Sequence, residues 1–186
     1  AINQRWSVYT EGFFEDTTYS VPGSVSSYKL GEISSTLTYA YTEKLDTSVK
    51  LSYAHYNPDV IFNPTDLVQL ALGAEYQVND GLTLTAAAGV YNMSGQQLYT
   101  NWIGGIKAVY TTERMNYTVA VSRAVPPSSS GGFRKTDSLD LGWLFDISER
   151  DQAGVAYGLS KSKKDSEIAL DFLDYQQIGA FYNHTL

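Results

Sequence analysis

The sequence predicts an all-β chain, an antiparallel up-and-down barrel of about ten strands. Two regularities carry this. The first is a period of two in hydrophobicity, plainest where Leu139, Leu141, Trp143, Phe145 and Ile147 alternate with Ser138, Asp140, Gly142 and Asp146. Such a period sends successive side chains to opposite faces of a sheet. The second is the rhythm of the connections. Short polar turns fall near Glu43, Asn79, Glu113 and Glu149, with another expected near His184, a hairpin repeat of roughly 35 residues. Longer loops fall between them, so every second connection lies at the same end of the strands.

The first strand, Arg5 to Phe14, puts Trp6, Val8, Thr10 and Phe14 on one face and Arg5, Ser7, Tyr9 and Glu11 on the other. A long polar loop from Glu15 to about Ser26 holds Pro22-Gly23. The second strand sets Ile33, Ser35, Leu37, Tyr39 and Tyr41 against Glu32, Ser34, Thr36 and Thr38. The third sets Val49, Leu51 and Tyr53 against Lys50, Ser52 and Ala54. Asn57-Pro58 and Asn63-Pro64 then break the pattern, since proline removes a ladder donor. The fourth strand carries Val68, Leu70, Leu72, Ala74, Tyr76 and Val78. Asn79-Asp80-Gly81 is a tight turn in which glycine can take positive φ. Leu82 to Val90 is the fifth strand, and Met93 to Gln97 a shorter loop. Trp102 to Tyr110 is the sixth strand and Met115 to Val121 the seventh. Ala124 to Lys135 is a third long loop, rich in Pro, Ser and Gly. Strands eight and nine flank Ser148-Glu149-Arg150-Asp151. A charged loop from Lys161 to Glu167 leads into a tenth strand ending near Tyr182.

The 186 residues suit one domain, 1–186. With no Cys, there are no disulfides, thiol nucleophiles or Cys-based zinc sites. A net charge of −7 argues against nucleic acid as a partner. No apolar run reaches the roughly 18 residues of a membrane helix. The mean hydropathy of −0.23 nevertheless suits a transmembrane barrel, whose polar lining dilutes its lipid face.

Three features favour that setting, a bacterial outer membrane, over a soluble barrel. The polar face is Ser-, Thr-, Ala- and Gly-rich, with sparse charges at Arg5, Glu11, Glu32, Lys50, Glu75, Lys107, Asp140 and Asp146. About ten strands would enclose a wide interior, which is hard to fill with apolar side chains. Aromatic residues fall at both strand ends, as at two membrane interfaces. Tyr39, Tyr41, Tyr76, Tyr110, Phe145 and Tyr182 lie near the short turns. Phe13, Phe14, Tyr53, Tyr91, Trp102 and Tyr175 lie nearer the long loops. The short turns would be periplasmic. An open edge cannot face lipid, so strand ten pairs with strand one or further strands exist. The ending Phe181-Tyr182-Asn183-His184, where a short turn should begin, favours a piece of a larger barrel.

The stretch from Ser122-Arg123 through Pro126-Pro127-Ser128-Ser129-Ser130-Gly131-Gly132 into Lys135-Thr136-Asp137, with the later Asp174-Tyr175, resembles a known family. These are the β-barrel porins encoded beside exopolysaccharide biosynthesis genes in Gram-negative bacteria. The resemblance is clearest from Trp102 to Tyr182; the first hundred residues match only in strand rhythm. It implies an outer-membrane barrel with a part in polysaccharide export, and it carries over no catalytic residues.

The residues themselves give no enzyme. The two His, His55 and His184, lack a nucleophile elbow, and no carboxylate is placed by sequence to orient His55. His-x-x-His and Glu-x-x-His spacings are absent, so neither metal nor cofactor is expected. Arg123 falls on the apolar face. It either snorkels into headgroups, is turned inward by a bulge, or joins Arg134 and Lys135 in contacting lipopolysaccharide or an acidic polymer at the outer rim. The lining charges either pair across strands or form a mildly cation-preferring filter. The leading reading is a polar pore for a polysaccharide or a solute, with outer-membrane lipid and an export component as partners. A plugged, partner-binding barrel and a soluble ligand-binding barrel are the alternatives.

Overall fold

The computed structural model describes residues 5–18, 27–58, 64–94, 99–128, 132–164 and 172–184. Expectations for Pro22-Gly23, Asn63, Gln97, Ser129 to Gly131 and Asp165 to Glu167 lie outside these residues. Among the described residues ten strands form one sheet in chain order: β1 (Trp6–Thr17), β2 (Tyr28–Ala40), β3 (Leu45–Pro58), β4 (Thr65–Gln77), β5 (Leu82–Ser94), β6 (Tyr99–Thr111), β7 (Met115–Ala124), β8 (Arg134–Asp146), β9 (Asp151–Lys164) and β10 (Phe172–His184). Every neighbouring pair is antiparallel, so the expected meander is present. Among the described residues β1 and β10 do not pair with each other.

Most strands run further toward the long loops than alternation suggests. β1 continues to Thr17, β2 begins at Tyr28, β3 reaches Pro58 and β9 reaches Lys164. The hydrogen-bonded ladder outlasts the apolar pattern because, near the loops, both faces carry polar or mixed residues. The short turns close as expected. Asn79 Oδ1 accepts from Gly81 N and Leu82 N, both at 2.9 Å. The glycine there serves close approach rather than positive φ: a Cβ on Gly81 would lie 2.6 Å from the Thr111 carbonyl oxygen.

Register divides the sheet into two faces. The face carrying Trp6, Val8, Leu37, Leu51, Leu70, Val119 and Leu141 is apolar. It is also exposed: Ile178 is 76 % accessible, Val8 70 % and Ile106 66 %. The opposite, inner face carries a row of small residues in register, Ser48, Gly73, Ala87, Gly105, Ser122, Ser138 and Ser160. Small side chains leave room on the inside of a curled sheet. Among the described residues the buried apolar side chains are Tyr28, Leu30, Ala54, Tyr56, Leu67, Tyr91, Val125 and Phe133. The strand members of this cluster all lie on the inner face, at its long-loop end.

Candidate functional site: the inner face and its inward loop

Seven of the expected lining residues belong to strands on the inner face: Glu11, Glu32, Lys50, Glu75, Lys107, Asp140 and Asp146. Arg5 precedes β1 in a turn, where its carbonyl accepts from Ala40 N at 2.9 Å. The charges are arranged in rows. Glu75, Thr85, Lys107, Ala120 and Asp140 follow one another across β4 to β8. Thr85 Oγ1 donates to Glu75 at 3.3 Å. Lys50 reaches Glu11 at 3.8 Å, from β3 to β1, while Ser34 of the intervening β2 donates to the same Glu11 oxygen at 2.9 Å. Asp146 accepts from Gln152 Nε2 at 2.8 Å. Pairing of opposite charges thus accounts for Glu11 and Lys50, while hydroxyls and amides serve Glu75 and Asp146.

The long-loop end of the inner face departs from the polar, water-filled interior that alternation suggests. After β7 the chain folds over the faces of β2 to β4. Val125 and Phe133 are buried there, and Pro127 bridges Phe133. Ser128 N donates to the Gly132 carbonyl at 2.8 Å, and Arg134 N to the Pro126 carbonyl at 3.0 Å. Gly132 turns the chain at φ 77°, a conformation glycine adopts without penalty. The Tyr56 ring stacks on Tyr28 at 5.0 Å and meets Phe133 edge-on at 6.0 Å. Its hydroxyl donates to the Ser128 carbonyl at 3.4 Å. Between loop and strands lies a cavity of about 220 Å³ lined in part by Glu32, Ser52, Gln69, Val125, Pro126 and Phe133. A Pro-, Ser- and Gly-rich stretch reads as a solvated loop. Only the apolar Val125 and Phe133 within it hinted at an inward course.

On the outer face the first aromatic belt forms as expected, at the short-turn end. Trp6 packs on Tyr39 with centroids 4.5 Å apart, and Tyr110, Tyr117 and Trp143 stack in succession at 6.3 and 6.4 Å. The second belt is smaller than expected. Phe14, Tyr53 and Trp102 lie on the outer face, but register turns Phe13, Tyr91 and Tyr175 inward. Alternation assigns these faces correctly; proximity to a strand end does not.

What borders the apolar band at the long-loop end is instead a set of polar pairs. Close to its loop, each hairpin joined by a long loop carries one directly opposed polar pair on its outer face. They are Asp16 with Lys29 at 3.6 Å, His55 with Asp66 at 2.7 Å, and Asn92 with Thr100 at 3.0 Å. Arg123 with Asp137 follows at 2.5 and 2.8 Å, and Lys161 opposes Asp174 in register. Arg123 needs no bulge: it holds its regular outward position, forks onto Asp137 and lies 3.9 Å over the Trp102 ring. Lys135 shares that face, opposite Lys163. Arg134 does not join them; it is 3 % exposed and on the inner face, because adjacent strand residues point to opposite sides.

His55 therefore does have an orienting carboxylate, which register supplies and sequence distance hides. Tyr53 also donates to Asp66 at 2.7 Å and Ser94 at 3.4 Å. The same grouping recurs at the short-turn end, where Asp151 binds His184 at 2.8 Å, Ser148 at 2.6 Å and Tyr182. In neither group does the serine bond the histidine, so no nucleophile–base relay is formed. Asp151 closes the β8–β9 turn, beyond the aromatic belt. Hydrogen bonds from Ser148, Tyr182 and His184 hold its carboxyl down at about 2.

No protein-family profile matches the chain, and no curated protein is similar to it. Among solved structures it is similar to the CymD monoaromatic hydrocarbon channel, at 14 % identity and a TM-score of 0.48, over 100 % of this chain and 70 % of that one. At that level the likeness assigns neither a cargo nor a family.

Proposed function

We propose that the chain is a non-enzymatic outer-membrane β-barrel that passes small solutes along its inner face, with a preference for cations. One observation carries this reading: an exposed apolar band on the outer face, bordered by an aromatic belt at one end and by polar cross-strand pairs at the other. A water-soluble protein rarely leaves so large an apolar surface uncovered; a bilayer accommodates it. The polar inner face supplies a wet path, and the acids along it outnumber Lys50 and Lys107. Arg123 and Lys135, at the long-loop border, suit the phosphates of lipopolysaccharide.

The finer reading, export of an exopolysaccharide, rests on the sequence resemblance. Small solutes are the better fit, because the inward β7–β8 loop and the apolar cluster occupy part of the interior. Planar-bilayer recording tests the proposal. Protein folded into bilayers gives discrete conductance steps, and a KCl gradient gives a reversal potential of the sign set by K⁺ preference. A folded, membrane-inserted protein without conductance overturns the pore and favours a plugged, partner-binding barrel.

A further inference from the structure

The cavity beneath the β7–β8 loop has an asymmetric wall. Its floor, the strand side, carries every polar group, Glu32 on β2, Ser52 on β3 and Gln69 on β4, beside the apolar Ala54 and Leu67. Its roof is apolar: Val125, Pro126, Pro127 and Phe133. Among the described residues the lining holds one carboxylate and no basic side chain. Glu32 makes no hydrogen bond or ion pair with another described residue. The neighbouring acid on the same face, Glu11, is already engaged by Lys50 and Ser34. Ser52 donates to Gln69 Oε1 at 3.4 Å, which leaves the Gln69 amide nitrogen and the Glu32 oxygens as the polar groups of the floor.

We infer that this cavity is a binding subsite for a small organic cation with an apolar body. A half-buried carboxylate beside an apolar wall is completed by a cation that brings its own apolar surface. The ammonium group meets Glu32 as a charge-assisted hydrogen bond. The body lies against Val125, Pro126 and Phe133, whose ring face also attracts positive charge. A neutral apolar molecule would leave the carboxylate facing a dry surface, and an anion would meet it with like charge. The volume of about 220 Å³ is below the ~300–1,000 Å³ of drug-sized pockets, so the ligand is small. This inference rests on the fold and the loop, and stands apart from whether solute crosses a membrane.

The test uses three probes of one shape: 4-fluorobenzylamine, 4-fluorobenzyl alcohol and 4-fluorobenzoate. Each is titrated at neutral pH into the full chain folded in non-ionic detergent and followed by fluorine NMR, against protein-free micelles. The amine binds saturably, the alcohol at least tenfold more weakly, and the benzoate more weakly still. Glu32→Gln removes at least tenfold of the amine affinity and leaves the alcohol unchanged. Gln69→Glu, which adds a second carboxylate to the floor, strengthens amine binding and keeps the test open if Glu32→Gln does not fold. Equal binding of amine and alcohol, absence of saturable amine binding, or an amine preference that survives Glu32→Gln overturns the inference. Conductance is read separately, so a failed subsite and a failed pore give different results.

Discussion

Arg123 is a cation on the face that carries the apolar band, at the border of that band, and its surroundings explain how it is held there. The guanidinium forks onto Asp137 and stacks on Trp102, so charge is matched and the planar group is covered. Asp151 shows the same economy at the other end. Its carboxyl, held at about 2 against an ordinary 3.8, binds its proton later in the folded chain than in the unfolded one. A depressed folded-state pKa contributes stability above the unfolded value, and that contribution fades as pH falls through the folded one. The parent and Asp151→Asn therefore differ in unfolding midpoint above about pH 4 and converge as pH falls toward about 2. Urea titrations across that range measure it; a gap that persists unchanged into acid contradicts the role given to Asp151.

At the scale of strands, β8 gives the clearest test of facing. Leu141 lies on the apolar face and Asp140 on the inner one. Leu141→Arg should cost roughly 2–4 kcal/mol of folding stability in vesicles if it faces mid-bilayer. Asp140→Arg should cost far less. Gly89, between β4 and β6, tests the packing of the ladder. A Cβ there would run into the Leu70 carbonyl oxygen, so Gly89→Ala forces backbone to move. Its expected cost is about 1–3 kcal/mol in the same unfolding measurement. Which residues share a face was legible in the sequence, because a period of two needs only local composition. Partnership across strands was not. His55 and Asp66, or Arg123 and Asp137, are assigned only by register, and register depends on loop lengths that the apolar pattern leaves open. The inward loop was hidden for a related reason. Val125 and Phe133 are two apolar residues in a stretch whose Pro, Ser and Gly content signals a turn, and only the curl of the sheet supplies the surface that buries them.

For the molecule as a whole, the proposed membrane setting rests on the distribution of apolar side chains. The buried cluster is small and confined to one end of the inner face, while the outer face exposes most of the large apolar residues. Under the proposed reading, the hydrophobic effect stabilises this fold chiefly by placing that outer face against lipid. The absence of cysteine makes the claim directly measurable, since any introduced thiol is unique. Single cysteines at positions 139 to 145 of β8, spin-labelled in the protein folded into vesicles, report collision with oxygen in lipid and with a nickel chelate in water. Leu139, Leu141, Trp143 and Phe145 should favour oxygen, and Asp140, Gly142 and Leu144 the chelate, in strict alternation. Chelate access at Leu141 equal to that at Asp140 would contradict a lipid-facing outer surface.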